Sequence, residues 1–162
     1  MINARIIAPI TNSEYKVPVD IGGIIFSIKL DIGANYTVIS IDAYAKDLTD
    51  KDKNSIVKYC EAHCNGKRRF QSASGDHFWG YPVIARNTTI GETTISEFNY
   101  YLVIENKRSV SLLGVDFLDN CKYTHDPHDC IFITEFDDDS YNKLSDHPIE
   151  NTDLISLIDG LI

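Results

Sequence analysis

The chain has 162 residues and a formal net charge of -9, with 43% hydrophobic and 24% charged residues. That is one domain's worth of protein with enough apolar content for a core, which excludes collagen-like, coiled-coil and wholly disordered classes. An acidic balance also argues against nucleic acid or an anionic membrane surface as the main partner, because both require a Lys/Arg-rich face.

Strand signals dominate in chain order. Tyr15–Val19 is β-rich, Ile21-Gly22-Gly23 supplies a turn, and Phe26, Ile28 and Leu30 alternate along Ile24–Leu30, predicting a hairpin. Pro18 places the first arm at an edge or a bulge, since it cannot donate to a central ladder. A β-branched run, Tyr36–Ser40, follows. The pattern then changes over Ile41–His63, which reads as one or two short helices, the second capped by Thr49 or Asp50 and closed by Asn65-Gly66. Strands resume at Arg68–Ser72, a Ser74-Gly75-Asp76 turn, His77–Asn87, Thr93–Ile95 and Phe98–Ile104. Leu112-Leu113-Gly114 then enters a short helix at Val115–Leu118, and Cys130–Thr134 is a last apolar strand. Short, closely spaced strands with one helical insertion indicate an all-β barrel or sandwich.

Residues 1–134 hold 16 acids and 14 lysines and arginines, whereas residues 135–162 hold 8 acids and one lysine. The expected organisation is therefore a domain over 1–136 and an acidic tail over 137–162, beginning at Asp137-Asp138-Asp139. The apolar end of that tail, Leu154, Ile155, Leu157, Ile158 and Leu161, has helix-compatible spacing. It suits docking on a partner groove or on the chain's own barrel, a strand added to a dimer, or a frayed terminus.

No stretch reaches the length of a membrane span, and Met1–Ser13 lacks the pattern of a signal peptide, so an intracellular, cytoplasmic protein with reduced thiols is expected. Cys60, His63 and Cys64, with Cys121, His125, His128 and Cys130, lack the usual zinc spacing, and no metal is expected. A Ser or Cys hydrolase built on Cys121, His125 or His128 lacks a nucleophile-elbow signature; these residues fit a hairpin loop around Asp126-Pro127.

The chemistry is expected at Asp31, a carboxylate at the end of an apolar strand, followed by Ile32-Gly33-Ala34, where glycine admits close backbone approach. By spacing alone, Asp-x-Gly after a strand reads first as a plain turn. The wider segment Leu30-Asp31-Ile32-Gly33-Ala34-Asn35-Tyr36-Thr37-Val38-Ile39 resembles the active-site segment of the retropepsin-like aspartic proteases. Leu112-Leu113-Gly114-Val115-Asp116-Phe117-Leu118 resembles the strand-to-helix motif of their bacterial and retroelement forms. Phe70–Gly80 sits where that family places its flap, and Ile41–Gly66 looks like an insertion.

That resemblance implies a closed β-barrel with a flap hairpin, a short C-terminal helix and a helical insertion. It also implies a homodimer that hydrolyses a polypeptide substrate with water activated between two Asp31 carboxylates, without a cofactor. Gly33 and Ala34 would lie against the substrate, Ser74, Gly75 and Asp76 would close over it, and His77, Phe78 and Trp79 would shape subsites or, for the last two, pack the barrel. Asp116 would serve structure. Ile32 stands where the family has Thr or Ser, whose hydroxyl makes cross-dimer hydrogen bonds. A weaker dimer, a differently held site, or a catalytically inactive dimeric module that binds peptide or protein would each follow from that change.

Overall fold

Gly22 and Gly23, at φ of +61° and +90°, turn the chain between β2 (Glu14–Ile21) and β3 (Ile24–Leu30), a conformation that side chains with a Cβ resist. Val17, Val19 and Ile21 on one arm and Phe26 and Ile28 on the other are buried, so the period-two pattern predicted for this hairpin is its inward face. The computed structural model describes residues 6–11, 14–90, 93–105, 111–126, 130–137, 141 and 143–162. Within them the first strand, β1 (Ile6–Thr11), pairs with β2 and with a later strand, β10 (Cys130–Phe136).

β4 (Val38–Ser40) leads through a 3-10 turn at Ile41–Ala43 into α1 (Asp50–His63). Thr49 caps α1: its hydroxyl accepts from the Asp52 N–H at 3.1 Å while the Asp52 carboxylate accepts from the Thr49 N–H at 3.1 Å. The expected helical insertion is thus present, and it sends Ile56 and Cys60 into the core. β5 (Arg68–Gln71) and β6 (His77–Ile90) form the next hairpin, and β7 (Thr93–Val103) returns beside β6. After β8 (Leu112–Leu113) come the single turn α2 (Val115–Leu118), β9 (Cys121–Asp126), β10, β11 (Ile149–Glu150) and α3 (Asn151–Leu161).

The eleven strands among the described residues belong to one mixed sheet, ordered β11-β6-β7-β4-β8-β3-β2-β1-β10-β9, with β5 on β6. β2 also pairs with β6, through Val19 with Ile90 and Asp20 with Thr89, which closes the strands from β6 round to β2 into a ring. The fold is mainly β, as the sequence predicts. Its core is filled by Phe26, Ile39, Val83, Phe98, Tyr100 and Phe117 among others.

Two expectations are corrected. Pro18 is not on an edge strand: β2 lies inside the sheet. Its open side pairs with β1 at residues 14 and 15 and with β6 at 19 and 20, so Pro18 falls between those two partners, where its missing N–H interrupts neither ladder. The boundary drawn at Phe136 does not end the packed body either. Tyr141, half-buried against Phe117 and Phe136, donates its hydroxyl to the Asn99 carbonyl at 2.9 Å. β11 adds to β6 in parallel, and Ile149, Leu154 and Ile158 are buried in the main core. The apolar end of the acidic tail therefore docks on the chain's own barrel. Residues 138 and 139 of the acidic run, together with Pro127 and His128, lie outside the described residues.

Candidate active site

β3 runs into the candidate loop, and its parallel neighbour β8 holds it in place. Lys29 and Leu30 sit in register with Leu112 and Leu113, and the Asp31 N–H donates to the Leu113 carbonyl at 3.1 Å. Asp31 thus stands where two parallel strands end side by side, half-buried. Its Oδ1 accepts from the Gly33 N–H at 2.8 Å, and Ala34 N–H closes the turn onto the Asp31 carbonyl at 3.2 Å. The other carboxylate oxygen has no partner among the described residues. Ile32, between them, is 74% exposed.

The far side of the loop is locked to α2. A Cβ on Gly114 would stand 2.6 Å from the Tyr36 carbonyl group and 2.8 Å from the Ala34 oxygen, so only glycine permits this approach. Val115 N–H donates to the Ala34 carbonyl at 2.9 Å. Asp116 accepts from the Thr37 N–H at 3.0 Å and the Thr37 hydroxyl at 2.8 Å, and the same hydroxyl accepts from the Gly114 N–H at 3.1 Å. Burial pushes the Asp116 carboxyl above its ordinary value, and the donors from Thr37 and Phe117 oppose that push. Asp116 braces the loop that carries Asp31, as the structural reading of its motif expects.

The flap expected at Ser74–His77 is the end of the β5–β6 hairpin. Ser72 N–H bonds the Asp76 carbonyl at 2.9 Å, Gly75 N–H bonds the Ser72 carbonyl at 3.0 Å, and Gly75 takes a φ of +90°. The Ser74 hydroxyl lies 2.9 Å from that of Ser72 and 3.3 Å from the Asp76 carboxylate. Ser74, Gly75, Asp76 and His77 are exposed, and no hydrogen bond joins them to the Asp31 loop. Phe78 turns toward the sheet and stacks on Phe70 at 5.6 Å, whereas Trp79 faces the other way beneath the Lys67 ammonium, 4.5 Å from its ring centre.

Sequence reasoning missed an aromatic wall that includes Tyr36 of the Asp31 loop. Val38, Tyr101 and Val103 form a second buried cluster, on the opposite face of the β7 strand from Tyr100 and Leu102. Tyr36, Phe70, Phe78, Leu112 and Leu144 pack against it. The Tyr36 ring meets Phe70 at 5.9 Å and Tyr101 at 5.5 Å, edge to face in both cases. Gly80 makes room for this wall: a Cβ there would lie 2.5 Å from the Phe70 ring. The available signal was two-sided burial along Phe98–Ile104, where every residue is apolar, aromatic or amide and both faces therefore need covering.

Other chemistry-bearing groups lie elsewhere. Burial pushes the Cys60 and Cys121 thiols up to about 12, leaving both protonated and poor nucleophiles. A polar cavity of about 320 Å³, lined by His63, Arg86, Glu97, Lys143, His147 and Glu150 among others, includes none of the expected site residues. No group of three or more His, Cys, Asp or Glu among the described residues is arranged to hold a metal ion. No helix among them is long and apolar enough to cross a membrane.

Among solved structures, the chain is similar to a retropepsin-like aspartic protease from Rickettsia conorii, with a TM-score of 0.54 and 15% identity, over 79% of this chain and 98% of that one. At that identity the similarity shows the fold alone: the chain has the fold of a retropepsin-like aspartic protease. No protein-family model and no curated protein matches the sequence.

Proposed function

We propose that the protein is an aspartic endopeptidase that works as a homodimer, with one Asp31 from each copy. The observation that carries this reading is the seating of Asp31 at the end of two parallel strands. One of its carboxylate oxygens is held by the Gly33 N–H, the other has no partner among the described residues, and the loop is pinned from behind by Gly114 and Asp116. A carboxylate so placed is rigid and open on one side, as activation of a water requires. The chain's other Asp-Ile-Gly run, Asp20-Ile21-Gly22, enters the β2–β3 turn, where Asp20 accepts from the Gly23 N–H at 2.9 Å. With Asp31 as the single carboxylate so seated, two copies are needed to oppose an ionised carboxylate, acting as base, to a protonated one that polarises the scissile carbonyl. The exposed Ile32 lies at this loop, where a second copy would meet it.

The second reading is a non-catalytic dimeric module that binds peptide on the same face, and the observation favouring it is again Ile32 in place of a hydroxyl residue. Peptide cleavage by purified protein separates the two. Asp31→Asn keeps the side chain's size and its acceptor for Gly33, so it is expected to abolish cleavage of a denatured protein substrate while leaving thermal unfolding and sedimentation unchanged. Cleavage that survives this substitution overturns the assignment.

A further inference from the structure

Three consecutive cations, Lys67, Arg68 and Arg69, lead into β5, the first strand of the flap hairpin, in a chain of net charge -9. They do not share an environment. Lys67 sits over Trp79 and pairs with Glu61 at 3.1 Å. Arg68 and Phe70 are two residues apart on β5 and so point to the same face of the sheet, the face bearing the aromatic wall. Opposite Arg68 in the ladder is Gly80, which has no side chain to obstruct it. The guanidinium reaches across, donates through Nε to the Tyr101 hydroxyl at 3.4 Å, and lies 4.5 Å over the Tyr36 ring. Tyr36 belongs to the Asp31 loop, and Leu112, in the same wall, adjoins the residue whose carbonyl holds the Asp31 N–H.

Arg68 forms no ion pair among the described residues, and its two terminal NH2 groups have no acceptor there. With Nε engaged on Tyr101 and Cζ over the Tyr36 ring, the two terminal NH2 groups are left to present the parallel N–H groups that match a carboxylate. We infer that Arg68 is a specificity-determining residue which makes one subsite beside Asp31 select a glutamate or aspartate side chain of an extended peptide, whose aliphatic stem lies on Tyr36 and Phe70. This rests on the reading of the Asp31 face as a peptide site, but not on cleavage. The contact over Tyr36 and the bond to Tyr101 restrain the guanidinium before any peptide arrives, so less side-chain freedom remains to be lost on binding.

The test uses the full-length Asp31→Asn protein, immobilised and exposed to a pool of randomised decapeptides, with retained peptides sequenced by mass spectrometry. Glutamate or aspartate is expected to be enriched over glutamine or asparagine at one position by about fivefold, the scale of a partly exposed charge pair. In the Asp31→Asn/Arg68→Gln protein that ratio is expected to fall to about one, and in Asp31→Asn/Arg68→Lys, which keeps the charge without the fork, to an intermediate value. Thermal unfolding confirms that each variant is folded. No acidic enrichment at any position, or enrichment that survives Arg68→Gln, overturns the inference. Cleavage by the unsubstituted protein is scored separately: acidic enrichment without cleavage keeps Arg68's role and removes the endopeptidase reading.

Discussion

Thr37 and Asp116 form the tightest bracket around the candidate site, and their chemistry makes the bracket sensitive to a single atom. Both Asp116 oxygens accept hydrogens, from the Thr37 hydroxyl and the Phe117 N–H on Oδ1 and from the Thr37 N–H on Oδ2. In Asp116→Asn an amide NH2 replaces one acceptor, so a donor faces the buried Thr37 N–H, at an expected cost of about 1–3 kcal/mol in denaturant unfolding. The substitution also removes a pH dependence. Because burial raises the Asp116 pKa above 3.8, the folded state holds its proton more tightly than the unfolded chain does. Its contribution to stability is therefore full below that ordinary value and is lost as pH rises through the raised one. The Asn variant should lack this downward slope, measured as unfolding midpoints across the acid range. At Ile32 the expectation differs, because the side chain is 74% exposed within the chain. Ile32→Thr should change folding stability by no more than about 0.5 kcal/mol. In the proposed dimer it is expected to tighten self-association about fivefold if the new hydroxyl finds an acceptor at the two-fold axis. Sedimentation reads the dissociation constant, and weaker association would assign the wild-type contact to apolar burial.

The element that most changes the picture of this chain is α3. Its first residue, Asn151, is buried, and its side-chain oxygen accepts from the Tyr44 hydroxyl at 2.6 Å and the Tyr100 hydroxyl at 2.8 Å, while the two tyrosines also meet each other. That triad joins the turn before α1, the middle of β7 and the start of α3. Leu154 and Ile158, one helical turn apart, complete the core on the same side. Truncation after Phe136 therefore uncovers Tyr100, removes β11 from β6 and exposes the core. It is expected to give an aggregating or unfolded chain by circular dichroism, and Leu154→Ala should cost about 2–5 kcal/mol in denaturant unfolding. A truncated chain that stays folded and monodisperse would return the boundary to Phe136. The charge run at Asp137 misled the reading because a solvated acidic segment says nothing about an apolar helix that follows it.

Across the molecule, local patterns were legible and long-range ones were not. The β2–β3 hairpin, the Thr49 cap and the Gly75 turn are set by neighbours in sequence, and each is present as expected. Asp31 and Leu113-Gly114 were legible as two motifs, but not the hydrogen bonds that join them. The Arg68, Tyr36 and Tyr101 arrangement was invisible for the same reason, since its members come from three separated segments that only the sheet order brings together. The bracket between Thr37 and Asp116 spans 79 residues of chain. On a ribosome adding about 5–20 residues per second, Thr37 is made some 4–16 seconds before its partner. Throughout that interval the Asp31 turn has no backing from β8 or α2. Synthesis itself thus delays assembly of the loop, and with it any activity of the proposed enzyme against its own nascent chain or its neighbours on the same message.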